Sequence, residues 1–160
     1  MKVLNLRSIM WAIPFVIGSV ALTSCDKEDD DNDNTTMYAV SGNGSGSQFT
    51  PAVSGSGQST ITGTYDAKTN TLMYTSTWTN LSGAPTAAAF YSGAPLVTGT
   101  IVGSAWTLGT GLNATGTTTG TVVLTDAQET QLLNGGWYYT YSTTTNPNGE
   151  VRGQIAASLM

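Results

Sequence analysis

Apolar and polar positions alternate along much of the chain, and the alternation is clearest between residues 58 and 80. Leu72, Tyr74, Ser76 and Trp78 share one side of a two-residue period, and Met73, Thr75 and Thr77 share the other. That is the pattern of a strand with one buried face. Just before it, Ile61, Gly63 and Tyr65 alternate with threonines, and "DAKTN" between the two segments supplies the Asp and Asn that suit turn backbone. Together they predict a hairpin. Further strand-like runs follow: "TAAAFYSG", "LVTGTIVG", "GTVVL", "WYYTYST" with Trp137, Tyr139 and Tyr141 on one face, and "EVRGQIAASL". The "NPNG" before the last run suits a type I turn, with Pro147 second and Gly149 fourth. Residues 37 to 41 read as a weak first strand. "GNGSGS" and "SGSG" around Pro51 read as flexible connections, and "LGTGLNATGTTTG" shows no usable period.

One segment breaks the two-residue rhythm. "TDAQETQLLNGG" begins with Thr125 and carries Gln128 three residues later, a capping box. Asp126 favours the first helical turn, and Gly135 is placed to end the helix. Many short strands, one brief helix and no strand–helix–strand repeat predict an all-β fold, an antiparallel sandwich or barrel with a short helix in the C-terminal third. The folded domain is expected to span 37–160.

Composition sharpens this picture at the front of the chain. Lys2 and Arg7 precede an apolar run over residues 9–22 that contains Pro14. The run is short for a membrane span, which needs about 20 apolar residues, and it reads as the core of a signal peptide over 1–24. The residues "LTSC" that follow resemble a lipobox, which implies cleavage before Cys25 and lipid on it. Cys25 is the sole cysteine, so no intrachain disulfide forms. Residues 26 to 33, "DKEDDDND", hold six of the ten acids, and 25–36 read as a lipidated, solvated tether. Calcium-loop chemistry is not expected there, since no Gly holds the turn position and no Glu closes the loop. "CDKEDDD" also resembles the acidic export signal that carries lipoproteins of Bacteroidetes-type bacteria to the cell surface. The expected location is therefore the outer membrane, surface-exposed, with the periplasmic side of the inner membrane as the alternative.

The domain itself is almost uncharged. Asp66, Lys68, Asp126, Glu129, Glu150 and Arg152 are its charged residues. Without clustered Lys or Arg, nucleic acid is not an expected partner. Two of the six stand two positions apart in "GEVRGQI". On a continuous strand Glu150, Arg152 and Gln154 would share one face. The expected role is a structural polar network tying the last strand to neighbouring loops, with a ligand-binding or catalytic Arg as the functional alternative.

The same region carries a family resemblance. "LLNGGWYYTYSTTTNPNGEVRGQI", residues 132 to 155, resembles the C-terminal signature of the CHRD domain, a module of the developmental protein chordin and of many bacterial secreted proteins. Residues 48 to 88 resemble its opening strands and its turn ending in Thr86-Ala87, and "LTDAQETQLLNGGWY" resembles its short helix. The resemblance implies histidines where this chain has Ala89, Tyr91 and Ser142. The chain contains no His. No metal site and no cofactor are therefore expected.

These readings favour a non-enzymatic binding or structural module of the cell envelope, with a protein or glycan ligand. Carbohydrate binding through Trp78, Trp106, Trp137, Tyr139 and Tyr141 is the alternative, if those rings are exposed rather than core. A hydrolase is the weakest reading. It would need two of Asp66, Asp126, Glu129 and Glu150 to converge, or a dyad built on Lys68 in a hairpin turn.

Overall fold

The computed structural model describes residues 36–160. The first strand, β1 (Met37–Ser45), pairs along its whole length with β2 (Gln58–Asp66), which pairs in turn with β3 (Thr71–Thr79). β4 (Pro85–Ser92) carries a short partner, β5 (Thr100–Val102), and β6 (Gly116–Val123) lies beside β3. The helix α1 (Asp126–Leu133) then leads into β7 (Trp137–Thr143), β8 (Val151–Gln154) and β9 (Ala156–Leu159). All pairings are antiparallel. The spatial order is β5-β4-β7-β8-β1-β2-β3-β6, with β9 also beside β1. The sheet is curled into a half-barrel.

The inner face follows the alternation read from the sequence. Leu72, Tyr74, Ser76 and Trp78 of β3 are buried, and Met73, Thr75 and Thr79 are exposed. Ile61, Tyr65, Phe90, Trp137, Tyr139, Tyr141, Val151 and Ile155 complete one core. The residues between β5 and β6 close over it. Trp106 packs 4.8 Å from both Tyr74 and Phe90, its backbone N–H donates to Ala88 O at 2.7 Å, and Leu108 and Leu112 lie against the same cluster. Trp78 Nε1 donates to Asn113 O at 2.9 Å, which ties this loop to the other flank. Offset and edge-on ring contacts of this kind add to the hydrophobic gain of burial. The helix starts as expected, with Thr125 and Gln128 capping reciprocally, and Gly135 (φ 69°) ends it.

Several expectations of the sequence change. Of "LVTGTIVG" only Thr100–Val102 is strand, with Leu96 at φ 65°, and β6 begins at Gly116, inside the stretch without a usable period. "GNGS" is not a flexible connection but the second half of β1. Glycine is required there because the neighbours come too close for a side chain. A Cβ on Gly42 would stand 2.5 Å from Gln154 O, and one on Gly44 2.2 Å from Ser59 Oγ. The last strand is also two. Ile155 N donates to Trp137 O, and the chain breaks there, so that β8 pairs with β7 and the end of β1 while β9 pairs with the beginning of β1.

Candidate functional site

β4, β7 and β8 lie side by side, and register decides what their outer face presents. Ala89, Thr140 and Arg152 form one cross-strand row, and Tyr91, Tyr138 and Gln154 form the next. The strand order puts Tyr138 between Tyr91 and Arg152. Tyr91 stacks on Tyr138 at 5.2 Å and 12°, and the Arg152 guanidinium carbon lies 3.7 Å from the centre of the Tyr138 ring. A cation over an aromatic face is attracted by the ring quadrupole, most strongly where water is excluded. Arg152 is 2 % exposed.

The hydrogen bonds of Arg152 all run from one nitrogen. Nη2 donates to Ala94 O at 2.8 Å and to Gln154 Oε1 at 3.3 Å. Nε is buried with no partner among the described residues. No carboxylate of the described residues is among its contacts. Burial holds the guanidinium below its usual pKa, partly offset by Tyr138, and arginine titrates so high that it remains a cation. Gln154 extends the network. Its amide donates to Gly93 O and Gly135 O, and its backbone N–H donates to Gln48 Oε1. Arg152 and Gln154 thus fasten the last strands to the β4–β5 loop, the end of α1 and the turn after β1.

That turn forms one wall of a cavity of about 420 Å³ above the Arg152 row. Phe49, Pro51 and Val53 line it from the turn, Tyr91, Tyr138 and Thr140 from the sheet, and Thr98 and Asn148 from loops. Phe49 can reach this position because residue 149 is Gly, at φ 120°; a Cβ there would meet the Phe49 ring at 2.4 Å.

Glu150 does not join this group. It precedes β8, and its carboxylate lies beside Gly57, Leu81 and Val151, on the core side. Oε1 accepts from Ser82 N at 2.6 Å, and Oε2 accepts from Thr143 Oγ1 at 2.6 Å, from Asn146 Nδ2 at 3.2 Å and from Ser82 Oγ. Burial pushes its pKa up, but these donors together outweigh burial and hold it below the ordinary value. The anion is stabilised by neutral donors, without Arg152. The triplet that strand alternation aligns is divided: Arg152 and Gln154 meet, and Glu150 serves another loop.

The aromatic candidates are also placed. Trp78, Trp137, Tyr139 and Tyr141 are at most 1 % exposed on the inner face, so the curled sheet makes them core and closes them to a glycan. Trp106 is half-buried and packed on that core. The remaining acids gather around the hydroxyl of the fully buried Tyr65, whose pKa is raised by burial first and then by Glu129, Asp126 and Asp66. Asp66 accepts from Lys68 N and Thr69 Oγ1 within its own turn, and Asp126 and Glu129 sit in the first turn of α1 near Tyr65. Among the described residues no three of His, Cys, Asp and Glu are grouped to hold a metal ion, and no helix is long and apolar enough to cross a membrane. Ala89 and Tyr91 lie on the outer face with Arg152, and Ser142 lies two residues beyond Thr140 on the same strand side. Cys25 and the acidic run lie outside the described residues.

Tyr91, Tyr138, Phe49 and Pro51 were not foreseen as site residues. Parity alone places Tyr138 opposite the Tyr139 row, but its meeting with Arg152 depends on the β7–β8 register, which no local pattern encodes.

The fold and site define a small all-β module with a cavity on its outer sheet face. The chain belongs to the CHRD domain family, whose profile matches residues 40–155 and so contains both Glu150 and the Arg152 cavity. No curated protein and no solved structure matches it.

Proposed function

We propose that this chain is a surface-anchored bacterial lipoprotein whose CHRD domain is a non-enzymatic binding or structural module of the cell envelope. The observation that carries the reading is the way the domain uses its ionisable groups. Glu150 is saturated by donors of its own chain, Asp66 braces a turn, and the two helix acids sit where a helix start favours them. General acid–base or nucleophilic chemistry needs such groups free to exchange protons with a substrate. The cavity instead presents a stationary cation among rings and hydroxyls, which suits holding a ligand. Lipid on Cys25 would anchor the domain without spanning the membrane, and the acidic stretch after it would hold the domain away from the surface.

The test is made in the native host. Mass spectrometry of the mature protein should find an acylated Cys25 at the N-terminus, and Cys25→Ser should move the chain out of the membrane fraction. Protease added to intact cells should digest the parent protein. An unmodified Cys25 would end the lipoprotein reading; protection from protease would place the anchor on the periplasmic side instead.

A further inference from the structure

The cavity over Arg152 differs from the other depressions of the surface. The one along β2, β3 and β6 is broader, but threonines and glycines form most of its lining and no charged side chain is among the rest. At Arg152 a cation that is 98 % removed from solvent has an unpartnered Nε, no carboxylate of the described chain against it, and hydrogen bonds from Nη2 alone. Arginine can donate five hydrogen bonds, and a buried unused donor is costly. Its neutral neighbours hold the side chain over Tyr138 but leave its charge uncompensated.

We propose that this cavity binds the carboxylate of an acidic sugar, one uronic-acid residue of a polysaccharide; the proposal rests on reading the domain as a binding module. One cation matches one negative charge. A phosphate dianion would call for a second cation, and none of the described residues lining the cavity supplies one. The Phe49 and Tyr91 rings and Pro51 offer apolar surface for the C–H face of a pyranose. Thr98, Thr140 and Asn148 offer hydroxyl and amide groups for its hydroxyls. A volume of about 420 Å³ lies in the range of small-ligand sites and accommodates one sugar ring with its carboxylate.

Titration calorimetry of the detergent-solubilised full chain with trigalacturonic acid tests this, with maltotriose and sodium sulfate as comparisons. Trigalacturonate should bind and maltotriose should not. Arg152→Met should weaken binding by about ten- to a hundredfold, the loss expected for a hydrogen-bonded charge. Asn148→Ala and Thr98→Ala change exposed loop residues and leave the strands intact. Each should weaken binding several-fold, about what one neutral hydrogen bond contributes, at an unchanged melting temperature. Equal binding of maltotriose, or parental affinity in both loop variants, overturns the proposal. Sulfate binding as tightly as the trisaccharide also overturns it, leaving a simple anion site. Chromatography of the recovered sugar separates the two levels of the argument. Intact sugar without binding defeats the ligand assignment and leaves the module reading standing, whereas cleaved sugar defeats the module reading itself.

Discussion

Glu150 and Arg152 are two residues apart, equally buried, and the only oppositely charged neighbours in the last third of the chain, yet they live in opposite kinds of site. The carboxylate accepts from four donors on two loops and a strand, and these lower its pKa despite burial. The guanidinium has a ring beneath it, one carbonyl and one amide oxygen at Nη2, and an unused Nε. The difference teaches that burial alone does not identify a structural charge. What identifies it is whether the chain supplies the counterpart. Glu150 is complete as it stands, and Arg152 has no counter-charge among the described residues.

Removing Glu150 should therefore have the largest effect on stability. Glu150→Ala strands donors from Ser82, Thr143 and Asn146 near the core, at roughly 1 to 3 kcal/mol for each that water cannot reach. A loss of about 3 kcal/mol or more is expected, lowering Tm by roughly 10 °C in calorimetry. A near-parental Tm would show that the clamp is dispensable.

Acid should act through the same group. Because the folded-state pKa of Glu150 is depressed, its contribution is present above the unfolded carboxylate value and is lost as pH falls through the folded value. Denaturant melts of the parent should lose stability on acidification, and Glu150→Gln should flatten that dependence. Arg152 adds no such slope, since it keeps its charge throughout.

Arg152→Met should cost less than Glu150→Ala, about 1 to 2 kcal/mol, because the bonds to Ala94 and Gln154 and the Tyr138 contact are lost but a buried, uncompensated charge goes with them. Arg152→Lys should fall between parent and Arg152→Met, having a charge but no planar fork. A cost for Arg152→Met above that of Glu150→Ala would invert the comparison. The smallest effect is expected for Ser82→Ala, about 1 kcal/mol or less, since the Ser82 backbone N–H still donates to Glu150.

Much of the fold was legible because it is written in local periods. The β3 alternation, the β2–β3 hairpin and the Thr125–Gln128 capping box need no knowledge of distant residues. The glycine half of β1 was hidden because its reason is three-dimensional: Gly42 and Gly44 are strand residues on account of Gln154 and Ser59. The aromatic row of β7 gave a clear period but not its destination, since a curled sheet turns that face inward. The site was half legible. "GEVRGQI" marked the right residues, and parity placed Arg152 with Gln154. Parity failed at Glu150 because the alternation starts only at Val151, after Gly149 turns the chain at a φ that L-residues rarely adopt.

The claim that these two charges serve separate duties is tested most directly by a double-mutant cycle. Melting free energies are needed for the parent, Glu150→Gln, Arg152→Met and the double variant. Groups with no shared partner should be additive to within about 0.5 kcal/mol, and that is the result expected. A coupling well above 1 kcal/mol would mean that Glu150 and Arg152 act as a pair, and would contradict the account.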